Sequence, residues 1–277
     1  MNTVEIAARH LPASEPSQQP ETPPLDMRRI DRHLVSLVTR DSFEAEQYRR
    51  LRYVLENIRR DATGLVVAVC SPVTGDGKSV TAMNLAGALA QDEAVKALLI
   101  DCDLRRRSET LWRSLGMARW NGIGLTDAVI NPALGLAQIA QPLPGLNLTV
   151  VPTGERDIPP YETLNSRKFA ALIQEARRQY DFIILDAPPV IPVSDCAVLA
   201  KQVDGILLVV AAHQTPRALL EETLDLLDRR KLLGLLFNCS DQPSRRYYGY
   251  GNYYRRRPMV AARKSDRRQL PPSSTKA

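Results

Sequence analysis

Gly64-Leu-Val-Val-Ala-Val-Cys70 runs straight into Ser71-Pro72-Val73-Thr74-Gly75-Asp76-Gly77-Lys78-Ser79. The first seven residues are a short continuous apolar run, the pattern of a strand buried on both faces. The next nine read as a loop, and helical spacing follows from about Val80 to Gln91. Strand, glycine loop and helix in that order make a phosphate cradle. Gly75 and Gly77 let backbone N–H groups turn inward around oxygens, and the helix N-terminus adds partial positive charge. Lys78 supplies a full charge for β- and γ-phosphates, and Ser79 a hydroxyl for Mg²⁺. Pro72 stands where the common G-x-x-x-x-G-K-[ST] pattern has its first glycine. A glycine turn that binds nothing would explain the loop alone, but not the strand and helix around it.

Working outward, the same strand pattern returns in Ala97-Leu-Leu-Ile-Asp101, Phe182-Ile-Ile-Leu-Asp186, Gly205–Ala211 and Leu233–Asn238. Helical segments fall near Ser166–Gln179 and Pro216–Arg229, and Leu146–Pro152 is strand-like. Apolar strands alternating with helices predict an α/β fold: a parallel sheet with helices on both faces, of the P-loop NTPase kind. Asp186, at the end of an apolar strand before Ala-Pro-Pro189, suits the Walker B role of orienting Mg²⁺. Asp101 and Asp103, two residues apart at another strand end, can hold Mg²⁺ and accept a proton from a hydroxyl; capping aspartates in a polar loop would look the same.

The chain has 277 residues, 44% apolar and 25% charged, close to a soluble globular average. That excludes a collagen-like or wholly disordered chain. No apolar run approaches the roughly 20 residues that cross a bilayer, and no basic-then-apolar leader marks secretion, so a cytoplasmic location is expected. Cys70, Cys102, Cys196 and Cys239 show no CxxC and no His pairing at metal spacing. Residues 1–40, rich in Pro, Ser, Glu and Gln at the start, are expected to be a disordered leader. The folded body is expected over 41–241. It opens on an amphipathic helix to about Arg59, with Asp41 and Glu44 as its capping box and Phe43, Leu51, Val54 and Ile58 on its apolar face.

Charge is unevenly placed. From Gln242 onward ten Lys/Arg face one Asp, a net +9; the whole chain is +6, leaving −3 for the rest. Five of the nine tyrosines, Tyr247, Tyr248, Tyr250, Tyr253 and Tyr254, sit within eight residues of this segment, between Arg245-Arg246 and Arg255-Arg256-Arg257. Segment 242–277 is therefore expected to be a disordered basic tail. Its rings can stack on single-stranded nucleic acid, or its phenols can accept phosphoryl groups. Phosphorylating all five would add about −1.5 to −2 each and cancel the excess positive charge.

Together these features resemble the bacterial tyrosine kinase family of capsule and exopolysaccharide synthesis, over about Asp41 to Tyr254. Ser71–Ser79 is similar to its Walker A motif, Leu98–Arg105 to Walker A′ and Phe182–Pro189 to Walker B. Gly124-Leu-Thr-Asp127, Pro152-Thr-Gly154 and Val193-Ser-Asp195 look alike too. Thr74 stands where the family often has proline. The resemblance implies the deviant Walker A class, that of the MinD and ParA positioning ATPases, and an ATP- and Mg²⁺-dependent autokinase acting on its own tyrosine cluster, in trans within an oligomer. Thr74, Gly75, Asp76, Gly77, Lys78, Ser79 and Val80 would hold the nucleotide, with Asn238 at the adenine. Ser79, Asp101, Asp103 and Asp186 would hold the metal. Lys78 and the three aspartates would be catalytic. Glu46, Arg49 and Arg52 match the family's E-x-x-R-x-x-R pattern, which implies a homo-oligomeric ring. Implied partners are a transmembrane polysaccharide chain-length regulator as activator, recruiting the chain to the inner face of the plasma membrane, and a tyrosine phosphatase.

Two rivals share the nucleotide motifs. A partitioning or cell-division ATPase carries a second lysine five residues before the P-loop lysine, where this chain has Val73, and lacks a tyrosine-rich tail. A nucleotide-controlled nucleic-acid binder would use the arginines and tyrosines of the tail; the intact Lys78, Ser79, Asp101, Asp103 and Asp186 disfavour it.

Overall fold

The computed structural model describes residues 27–59, 63–106, 109–117 and 123–240. Seven strands form one sheet: β1 Leu65–Cys70, β2 Ala97–Asp101, β3 Gln141–Pro142, β4 Leu148–Val151, β5 Phe182–Asp186, β6 Gly205–Ala211 and β7 Leu232–Asn238. Their order across the sheet is β3-β4-β2-β5-β1-β6-β7. All neighbours pair in parallel except β3, which lies antiparallel on β4. The five apolar runs read from sequence are β1, β2, β5, β6 and β7. The strand-like Leu146–Pro152 contains β4, and the two-residue edge strand β3 carries too little pattern to be read.

The strands are buried because both faces are covered. Along β1, Val66, Ala68 and Cys70 enter one hydrophobic cluster, while Leu65, Val67 and Val69 enter the other. The first cluster is completed by helix Arg167–Gln179 through Phe169, Leu172, Ile173 and Ala176. The second is completed by helix α3, Lys78–Leu89. Two helices precede α3 in the chain and pack on it: α1, Val35–Val38, and α2, Phe43–Ile58.

The body begins earlier than residue 41. Ile30, Leu34 and Leu37 are buried in the second cluster. Asn84, buried on α3, accepts from Ser36 N at 2.9 Å and donates to His33 O at 2.9 Å; Gln91 Nε2 donates to Ser36 O at 2.8 Å. Gly87 clears the space for Leu37, since a Cβ there would lie 2.8 Å from its Cδ2. The four-residue α1 is too short to show periodicity, and the polar leader beside it dominated the composition. Residues 1–26 and the tail 242–277 lie outside the described residues.

Helix α2 starts one residue later than the Asp41–Glu44 box implied. Ser42 is the cap, its Oγ accepting from Ala45 N at 3.1 Å. The buried face is also rotated. Ala45 and Leu55 are buried, and Leu51 and Ile58 are partly buried against the core. Phe43 and Val54, assigned to the apolar face, are 40% and 47% exposed.

The packed N-terminal segment makes a measurable difference. Leu34→Ala is expected to cost about 2–5 kcal/mol of stability in urea unfolding, whereas a side chain in an unpacked leader would change it by less than about 0.5 kcal/mol.

Candidate active site

The sheet order places the C-terminal ends of β2, β5 and β1 side by side. In register, Asp101 of β2 faces Asp186 of β5, and Asp186 faces Val69 of β1. The loop after β1 turns through Gly75 (φ 103°) and Gly77 (φ 92°), both in the left-handed region that side chains with a Cβ rarely adopt. Gly77 is the cap of α3, so Lys78 and Ser79 open the helix. A Cβ at Gly77 would also collide with the Asn238 side chain.

Lys78 lies at the centre. Its Nζ donates to Asp103 Oδ2 at 2.6 Å, to Asp186 Oδ1 at 3.5 Å and to Ser79 Oγ at 3.4 Å. The Lys78, Asp103 and Asp186 side chains are each no more than 5% exposed. Asp101 lies beside them: its Oδ1 accepts from Asp103 N at 3.2 Å and its Oδ2 from Thr153 Oγ1 at 3.0 Å. Burial and the neighbouring Asp186 charge push Asp101 up to about 8, against the pull of Thr153 and Lys78. Burial raises Asp186 too, although Lys78 opposes it. For Lys78 burial alone would lower the ammonium, but Asp186 and Asp103 outweigh it and the net shift is upward.

Asp76 is buried between the two glycines, and its carboxylate is held within the protein. Oδ1 accepts from Thr215 Oγ1 at 2.7 Å and Oδ2 from Val73 N at 3.3 Å. Its carbonyl accepts from Asn238 Nδ2 at 2.9 Å. The residue therefore braces the loop between the ends of β6 and β7, and Asn238, read as an adenine contact, has its amide nitrogen on the loop. A carboxylate turned to phosphate would repel it, whereas this orientation leaves the backbone N–H groups as the anion-facing groups. Sequence reading missed Thr215, which no motif marks. Thr153 lies in Pro152-Thr-Gly154, quoted only as a likeness. Arg105, after Asp103, forms a two-point pair with buried Asp195: Nε–Oδ2 2.8 Å and Nη2–Oδ1 3.3 Å. That pair ties the loop after β2 to the segment after β5.

On α2, Glu46 and Arg49 pair with each other, Nη2–Oε2 2.6 Å. Arg52 is turned onto its own chain: it meets Glu56 at 2.6 Å and Asp92 at 2.8 Å and donates to Ala88 O at 3.3 Å. Of the three residues matched to the ring pattern, Arg52 is therefore held by its own chain. The body itself binds Arg52, because Asp92 lies at the end of α3 against which α2 packs. The five tail tyrosines lie outside the described residues.

The donor set suits Mg²⁺. Among the described residues no group of three or more His, Cys, Asp or Glu forms a metal cage. Mg²⁺ characteristically takes one or two carboxylates and completes its shell with water and substrate phosphates. Asp103, Asp186 and the Ser79 hydroxyl are hard oxygen donors already converging on one cationic group.

Glycine loop, helix start and strand-end carboxylates define a nucleotide-binding protein of the P-loop ATPase class. The family model of the ATPase MipZ matches residues 65–203, from β1 through β5 and beyond. A ParA family ATPase from Chlorobium tepidum TLS shares the fold, with TM-score 0.52 at 18% identity over 66% of this chain and 76% of that chain. The tyrosine-protein kinase YwqD of Bacillus subtilis is 32% identical over 224 residues, 80% of this chain and 92% of that protein. The chimerical protein CapA2B2 superposes with TM-score 0.68 at 26% identity, covering 80% and 96%. The chain belongs to the bacterial tyrosine kinase family.

Asp101 gives the site a pH signature. Its folded-state pKa, about 8, lies above the ordinary carboxylate value of 3.8, so between these limits the folded state holds a proton that the unfolded state releases. Its contribution is fully present below about pH 4 and is lost as pH rises through about 8. Without nucleotide or metal, stability should fall between pH 6 and pH 8, by at most about 1.4 kcal/mol per pH unit. Asp101→Asn should flatten that slope in denaturant titrations; an unchanged slope would contradict the assignment.

Proposed function

We propose that the chain transfers the terminal phosphoryl group of ATP to tyrosines of its own C-terminal cluster, Tyr247, Tyr248, Tyr250, Tyr253 and Tyr254, presented to the site of a neighbouring copy in a homo-oligomer. The observation that carries this reading is the buried Lys78–Asp103–Asp186 cluster at adjacent strand ends in a chain whose tyrosines concentrate in one basic segment. Lys78 holds the β- and γ-phosphates, and the N–H groups around Gly75 and Gly77 surround their oxygens. Ser79, Asp103 and Asp186 hold Mg²⁺, with Asp101 behind them; the bound ion supplies positive charge to the transferring phosphate.

The phenol needs a proton acceptor because free tyrosine has a pKa of about 10. Asp101, raised to about 8, is closer to that value than an ordinary carboxylate. The positive charge of a bound Mg²⁺ would ionise Asp101, and the carboxylate then takes the proton as the phenolic oxygen bonds phosphorus and the bond to ADP breaks. Thr153 fixes the orientation of this carboxylate.

The family resemblance extends the reading to control of capsule or exopolysaccharide synthesis and export. A transmembrane chain-length regulator would act as activator at the inner membrane face, and a phosphatase would reset the tail. Among the described residues no helix is long and apolar enough to cross a membrane, so this reading assigns membrane recruitment to the partner. The ring contact is assigned to the outer side of α2, with Glu46 and Arg49 at its edge and Arg52 bracing the helix from within.

Incubation with ATP and Mg²⁺, with and without the cytoplasmic segment of a candidate activator, followed by mass spectrometry, tests the reading. Phosphotyrosine is expected within 247–254. It should fall at least a hundredfold in Lys78→Met and vanish when the five tyrosines are changed to phenylalanine. ATP turnover with no phosphotyrosine under any activator would favour a positioning ATPase instead.

A further inference from the structure

The ammonium of Lys78 lies among the oxygens that the proposed function assigns to the metal. Asp103 Oδ2, Asp186 Oδ1 and Ser79 Oγ converge on Nζ at 2.6, 3.5 and 3.4 Å. Both carboxylates are buried, and buried Asp101 adjoins them in the β2–β5 register. A Mg²⁺ ion would take oxygens of this set at about 2.0–2.1 Å, leaving no room for an ammonium at the same point. Two cations that close in a low-dielectric site also repel strongly.

We propose that Lys78 keeps the metal position closed. Its ammonium competes with a divalent cation for Asp103, Asp186 and Ser79, and the metal enters only with a nucleotide whose phosphates draw Lys78 away. This inference rests on the metal reading above and adds the order in which the site assembles. The physical reason is the cost of a buried charge without a partner. Three acidic side chains lie together in the interior, and Lys78 is the cation that compensates them; removing one member of a buried ion pair leaves the others uncompensated. Lys78 gives up these partners only when it gains others, and phosphate oxygens are such partners. The carboxylates it leaves then gain the metal. Nucleotide and metal therefore favour each other's binding, and the coupling is reciprocal.

The test uses the full chain and Mn²⁺ as probe, with free Mn²⁺ followed by electron paramagnetic resonance and melting followed in parallel. Wild-type protein should bind Mn²⁺ with ADP present and at least tenfold more weakly without it. Lys78→Met without nucleotide should bind Mn²⁺ at least tenfold more tightly than wild type without nucleotide, and its melting temperature should rise with Mn²⁺ while that of wild type stays unchanged. Lys78→Gln keeps a donor toward Asp103 and guards against a variant that fails to fold; it should show the same gain. Wild type binding Mn²⁺ alone as tightly as the variants, or neither variant gaining affinity, overturns the competition while leaving the metal reading standing. Absence of Mn²⁺ binding to wild type with ADP overturns the metal reading, and the inference with it.

Discussion

A single buried cation among carboxylates at the tips of three adjacent parallel strands is the constraint on which the rest depends. The sheet order β2-β5-β1 brings Asp101, Asp186 and the glycine loop to one edge. Lys78, as the first residue of α3, then falls onto Asp103 and Asp186. In a low-dielectric interior such a group is costly unless paired and hydrogen-bonded. This one is paired at 2.6 Å, and the two Asp101 oxygens accept from the Asp103 backbone and Thr153. A polar cluster of this kind adds little to stability compared with an apolar core of the same shape. Its presence at the strand tips is what a phosphate-handling site requires.

The surrounding contacts hold that edge in shape. Asp76 is braced by Thr215 and Asn238, which tie the glycine loop to β6 and β7. Arg105 and Asp195 join the loop after β2 to the segment after β5. Thr215 and the Arg105–Asp195 pair link segments that follow neighbouring strands, and Asn238 reaches the loop from the end of β7, so the glycine loop and its N–H groups are held in shape from several sides. Preorganised dipoles of this sort act without reorganisation during the reaction.

The sheet was legible because strands buried on both faces read as unbroken apolar runs. β2 and β5 fall on the residues read from sequence, and the start of β7 differs by one. The glycine loop and strand-end aspartates were legible because phosphate chemistry needs those residue types at that spacing. What escaped depends on contacts between distant segments. Leu34 and Leu37 pack only because Asn84 and Gly87 on α3 receive them. Asp76 reads as a phosphate-loop residue, but nothing in the loop motif tells that Thr215, 139 positions away, holds its carboxylate. Arg52 reads only as part of a family pattern, and its pairing with Asp92, 40 positions away, is invisible in it. Periodicity along one helix cannot report the neighbour that decides which way it turns.

The most direct test is the position of Lys78 when nucleotide is bound. A crystal structure of the chain with Mg²⁺ and a non-hydrolysable ATP analogue should show Nζ on β- and γ-phosphate oxygens, parted from Asp103, and the metal between Ser79, Asp103 and Asp186. A nucleotide seated elsewhere, or one seated here with the 2.6 Å Lys78–Asp103 contact intact, would contradict the account.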